Sequence, residues 1–209
     1  MNNIWNIVCN IYCYLHNYIN NIPRISLLFN KVKLPLLCKW EEVIHADQNF
    51  TLEERAIILH ALDDLLFFCN GLIKLQIIFD LDSKNLSFID YNNTFIRADS
   101  SLHSIENADK RAKNNIFGLC EYKHNNSIKT LYIVVERIKT YNEFKTVVLH
   151  ELGHALYMGH TMKPSIMHAY NYDDIAYLTY ADGLEFAKIW HINVQDLRYL
   201  KLYHNYLNA

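Results

Sequence analysis

The segment His150-Glu151-Leu152-Gly153-His154-Ala155-Leu156-Tyr157-Met158-Gly159-His160 places three imidazoles and a carboxylate at spacings that suit metal-assisted hydrolysis. Apolar residues just before it, Phe144, Val147, Val148 and Leu149, predict that His150 sits on a buried helix. Residues four apart share one helical face a turn apart, so His150 and His154 can aim both rings at one ion. Glu151 falls outside that pair but within reach of a water activated by the metal. Zinc brings such a water close to neutrality, and a neighbouring carboxylate can take its proton and pass it to a leaving amine. This is the HExxH arrangement. A continued helix would carry His160 about 9 Å farther along the axis than His154, so it joins the same ion only if the helix stops between them. Gly159, one of five glycines in the chain, is a natural stop. For any single histidine, a solvated or core side chain is the simpler reading. The three together with Glu151 favour zinc.

The same segment resembles the zinc signature of the metzincin metallopeptidases, HExxHxxGxxH. Downstream, Lys163-Pro-Ser-Ile-Met167-His-Ala-Tyr170 resembles that family's Met-turn, in which a methionine lies under the zinc-binding histidines. Met167 follows His160 closely, as in matrixins and astacins, and Ser-Ile-Met-His is similar to astacins. The resemblance spans roughly residues 36–192 and is specific over 150–170. It implies a zinc metalloendopeptidase of EC 3.4.24 type with one catalytic Zn²⁺ and a horizontal cleft. It would make His150, His154 and His160 the metal ligands, Glu151 the catalytic base and Met167 the Met-turn residue. Gly118, Leu119 and Cys120 would lie on the upper rim of the cleft, pairing with an extended peptide or protein substrate. Tyr170 and Tyr172 would line the pocket beyond the scissile bond. Two departures stand out. Tyr157 occupies the family's glycine position, so either Gly159 moves the turn by two residues or Tyr157 takes a conformation that glycine adopts more easily. Tyr170 follows Met167 by three residues where astacins space the metal-adjacent tyrosine by two, so Tyr170 reads as a pocket wall.

Two other readings keep the site but change its use. In one, the chain is a catalytically weak zincin-fold protein that binds a protein partner through the cleft; the presence of Glu151 argues for the enzyme. In the other, the third ligand is acidic, Asp173 or Glu185. His168 reads as a solvated turn histidine and His60 as a surface or core one. Cys9, Cys13 or Cys38 could hold the zinc latent, as a pro-segment cysteine does in matrixins. None sits in that family's cysteine-switch sequence, and structural cysteines are the simpler reading.

The elements that must position this site fit an α+β fold: a zincin-like twisted mixed sheet, a zinc-binding active-site helix, a Met-turn and a C-terminal helix. The chain has 209 residues, 51% of them apolar, enough for a substantial core. Its 20 Lys+Arg against 22 Asp+Glu argue against nucleic-acid binding. Five cysteines without a CxxC pair exclude a disulfide scaffold. Pro23 and Pro35 set off residues 1–35 as an N-terminal extension, a packing helix or pro-segment, from a catalytic domain over 36–209. Residues 1–22 lack a basic region, and Asn6, Asn10, His16 and Asn17 interrupt their apolar run, so they predict an amphipathic helix rather than a signal or a transmembrane segment. Free thiols without a signal point to a reducing compartment. A strand is expected at Lys39–Val43, then a helix from the Thr51/Glu54 capping box to Phe68, ended by Asn70-Gly71. Strands are expected at 72–79, 94–98, 117–122 and 129–138, with a surface loop over 99–115. Helices are expected at 142–158, from a second capping box at Thr179, and at 193–206.

Overall fold

A computed structural model describes residues 40–83, 93–112, 116–123, 128–169 and 176–197. Its strands are β1 (Trp40–Asp47), β2 (Ile73–Leu81), β3 (Asn93–Ala98), β4 (Gly118–Lys123) and β5 (Ile128–Val134). Its helices are α1 (Leu52–Cys69), α2 (His103–Ala112), α3 (Tyr141–Ala155) and α4 (Tyr180–Trp190). The expected α+β class holds. The strands form one sheet in the order β2-β1-β3-β5-β4, in which only β4 runs antiparallel to its neighbour.

Alternation along the strands builds two cores. Phe95, Leu131 and Ile133 face α1 and α3, meeting Ile58, Leu65, Val148 and Leu152. Ile96, Tyr132 and Val134 face the other way and meet Ile105 of α2. Successive strand residues point to opposite faces, so helices lie on both sides of the sheet.

Local chemistry fixes the helix ends. The Thr51/Glu54 box opens α1, and Asn70 in the left-handed region (φ 50) closes it, as expected. Thr179 and Asp182 form the expected box at α4. Thr140 and Glu143 form a third at α3, which the sequence reading passed over. Residues Phe144 to Ala155 of α3 are buried apart from His154, so this helix runs through the interior with the site on it.

Several expectations need correction. Residues 103–112 are a helix within the expected surface loop; among its described side chains Ile105 and Ala108 are the buried apolar ones. Arg137 pins this helix by pairing with Asp109 at 2.7 Å and donating to the Ile116 carbonyl at 2.6 Å. The strand expected over 129–138 ends at Val134, opposite the last residue of β3, Ala98, and turns into a 3-10 helix at Val135–Arg137. The first strand extends to Asp47, and the active-site helix stops at Ala155. Where a helix from 193 was expected, a 3-10 turn spans Val194–Asp196, and residues 198–209 lie outside the described ones. The extension 1–35 also lies outside them, with Cys9 and Cys13; so does Cys38. No described helix is long and apolar enough to cross a membrane.

Candidate metal centre

The three histidines of the signature meet. The Nε2 of His160 lies 3.3 Å from that of His150 and 3.1 Å from that of His154. Nitrogens held 2.0–2.1 Å from one tetrahedral ion sit about 3.3 Å apart, so these two distances suit zinc. The outer nitrogens are committed elsewhere: His150 Nδ1 donates to the Ile166 carbonyl at 2.6 Å and His154 Nδ1 to that of Met158 at 2.8 Å. That pairing fixes the tautomer and turns the Nε2 lone pairs inward. The lone pairs of His150 and His154 that face His160 Nε2 repel one another unless a cation or protons lie between them. Burial holds the His150 imidazole down to about 3, with the neighbouring His154 adding to the effect, and holds His154 down to about 4. The rings are therefore neutral near pH 7, the form a metal needs. Among the described residues these three form the one group of potential ligands; Glu185 is not in it, and Asp173 lies outside the described residues.

The carboxyl of Glu151 is 1% exposed, and its Oε2 has no hydrogen-bond partner. Burial raises its proton affinity well above that of an ordinary glutamate. Gly118 of β4 packs so closely on it that an added Cβ would overlap the carboxylate. An orphaned buried carboxyl beside converging imidazoles suits a nearby cation. Gly118, Leu119 and Cys120 line one wall of a cavity of about 480 Å³ that the three histidines and Glu151 also line. Burial, with Glu151 nearby, pushes the Cys120 thiol up to about 12, so it stays protonated.

The stop before His160 is the second of the two foreseen. Tyr157 has φ 67, in the left-handed region, whereas Gly159 does not. Its N–H donates to the His154 carbonyl at 2.8 Å, and that of Met158 donates to the Gly153 carbonyl at 3.0 Å. This is the Schellman pattern, with tyrosine where glycine is usual.

Beneath α3, Met167 is 1% exposed, and Gly153 makes room for its sulfur. The turn that carries it is tied on both sides. Met167 N–H donates to Ser165 Oγ at 2.9 Å, and the Met167 carbonyl accepts from Thr161 N–H at 3.0 Å. Asp182 of α4 accepts from Ser165 Oγ and from Thr179 N–H at 2.7 Å. Sequence reasoning gave Asp182 only a capping role. Here it also braces the turn whose Ile166 carbonyl orients His150.

Some residues fall elsewhere. Tyr170 and Tyr172 lie outside the described residues. His60 bonds Tyr141 and lies 3.8 Å from Asp64 on the outer side of α1, away from the cavity. His168 neighbours His160 electrostatically without joining the cluster. Arg111 of α2 lines the cavity and was missed because its helix was read as a loop.

No family model matches the chain, and no curated protein sequence matches it. Among solved structures it is similar to metalloproteinase-II from Bacteroides fragilis, with 12% identity and a TM-score of 0.45. The match covers 75% of this chain, which spans 55% of the length of that one.

Proposed function

We propose that the chain is a zinc-dependent endopeptidase of metzincin type. The observation that carries this reading is the convergence of three inward-facing Nε2 atoms, within 4.8 Å of one another, next to the buried carboxyl of Glu151. His150, His154 and His160 would hold the ion. Bound zinc would supply Lewis-acid activation of water and of a peptide carbonyl.

The chain's own residues supply the rest. Glu151 takes the proton of the attacking water and returns it to the leaving amine. Burial raises its proton affinity, which favours taking up the proton, and a cation held by the histidines would lower that affinity again and favour its release. Strand β4 is the last strand of the sheet and borders the cavity. Its outer backbone edge suits an extended peptide, which would gain ladder hydrogen bonds before the scissile bond reaches the histidines. Met167 and the Asp182-braced turn keep His150 oriented, and Tyr122 ties β4 to α3 by donating to the His154 carbonyl at 2.8 Å.

The test is zinc per chain by elemental mass spectrometry, for wild type and His160→Ala, followed by cleavage of unstructured protein with Glu151→Gln as control. About one zinc in wild type, clear loss in His160→Ala, and cleavage abolished by Glu151→Gln are expected. A folded wild type that takes up no zinc would overturn the reading.

A further inference from the structure

Tyrosine at the helix stop needs something to hold it in a backbone conformation it rarely adopts. Lys129 of β5 is the candidate. In a strand-like apolar run a lysine would ordinarily face solvent, yet this one is 2% exposed. Its Nζ donates to the Ala155 carbonyl, the final residue of α3, and lies 3.6 Å from the centroid of the Tyr157 ring. Glu42 of β1 lies close enough for its carboxylate to feel the lysine charge.

Each contact answers a local need. The carbonyls at a helix C-terminus lack partners within the helix and carry its negative dipole end, which a cation satisfies. The left-handed conformation brings Cβ against the backbone, and an attractive contact made only in that conformation offsets the penalty. A buried ammonium against an aromatic face is such a contact. The turn it secures has two outputs: the Met158 carbonyl that orients His154, and the chain reversal that delivers His160.

We propose that Lys129 is a positioning residue for the metal centre, substituting through Tyr157 for the glycine that would otherwise make this turn. The proposal rests on the zinc-site reading above. Glycine at 157 should make the lysine dispensable, whereas alanine, which keeps the Cβ and loses the ring, should not.

The experiment measures zinc affinity by competition with a chromophoric chelator, with circular dichroism reporting the fold. The proteins are wild type, Lys129→Met, Tyr157→Ala, Tyr157→Gly and the double variant Lys129→Met/Tyr157→Gly. Tyr157 is 49% exposed, so its variants should fold even if Lys129→Met does not. Lys129→Met and Tyr157→Ala are each expected to raise the zinc Kd about tenfold, or about 1.4 kcal/mol. Tyr157→Gly should stay within about threefold of wild type, and the double variant should recover to the same range. Tyr157→Ala binding as tightly as wild type would overturn the proposal. So would a double variant no better than a folded Lys129→Met, because the lysine would then serve the sheet rather than the turn. Failure of wild type to bind zinc at all would instead sink the site reading.

Discussion

Glu151→Gln should stabilise the metal-free protein, and increasingly so as pH rises. The substitution keeps shape and removes the titratable group of a side chain that is 1% exposed, with one oxygen lacking a partner. In the unfolded chain this carboxyl titrates near 4.5; in the folded chain burial raises that value well above the ordinary one. Below about pH 4.5 both states hold the neutral acid, and glutamate and glutamine differ little. Above it the unfolded state releases a proton that the folded state retains. Wild-type stability then falls by up to about 1.4 kcal/mol per pH unit, while the glutamine variant escapes this loss. Integrating from pH 5 to pH 6 gives a gain for the variant of at most about 1.2 kcal/mol, reached if the folded acid keeps its proton throughout. Urea unfolding of both proteins in chelator at the two pH values measures it, and histidine titration common to both largely cancels in the difference. A difference independent of pH, or a less stable variant, would mean that the carboxyl is ionised and partnered in the fold, and would refute the reasoning. Added zinc should shrink the gain, because a nearby cation lowers the proton affinity of the carboxyl.

Three further outcomes are expected. His150 and His154 titrate in the fold at about 3 and about 4 against 6.5 for a solvated imidazole, so the stability they confer is present above pH 6.5 and lost as pH falls toward 4. Measured in chelator in the Glu151→Gln background, the slope near pH 5 should approach about 2.7 kcal/mol per unit, and a flat urea profile would mean solvated imidazoles. Gly118→Ala should lower thermal stability by about 1–3 kcal/mol, because the new methyl group overlaps the Glu151 carboxylate; an unchanged melting temperature would show that the two do not pack. Asp182→Asn should cost about 1.5–3 kcal/mol by weakening charge-assisted bonds to Ser165 and Thr179, and should also weaken zinc uptake through the Ile166–His150 contact. Loss of stability with unchanged zinc affinity would confine Asp182 to a capping role.

Much of this arrangement was legible in the sequence where the determining chemistry is local. The Thr51/Glu54 and Thr179/Asp182 boxes announce their helices within four residues, and the spacing of His150 and His154 follows from helical geometry alone. What escaped depends on partners far along the chain. Helix α2 buries little besides Ile105 and Ala108 and is fastened by Arg137, so its own residues read as loop. Lys129 reads only as the first residue of a strand, because its partners, Ala155 and Tyr157, lie outside that strand. The choice between Gly159 and Tyr157 was open because propensity favours glycine, while the contact that tips the balance is tertiary. Asp182 looked finished as a cap; its second use, bracing Ser165, lies seventeen residues upstream.

The strand order also sets the sequence of events during folding. Trp40 must find Ile73, His45 must find Thr94, and Asn93 must find Lys129 before the parallel ladders can form. Each of these pairings closes a long loop and pays its entropy before any ladder forms, which slows folding. β4 and β5 are joined by a short connection and pair antiparallel, from Gly118 with Ile133 to Lys123 with Ile128. A hairpin of this kind forms in about 1–10 µs, far ahead of the rest. Contact order therefore predicts that the edge proposed to grip substrate pairs before the parallel ladders close, so that it would be open to other chains whenever those ladders are not formed.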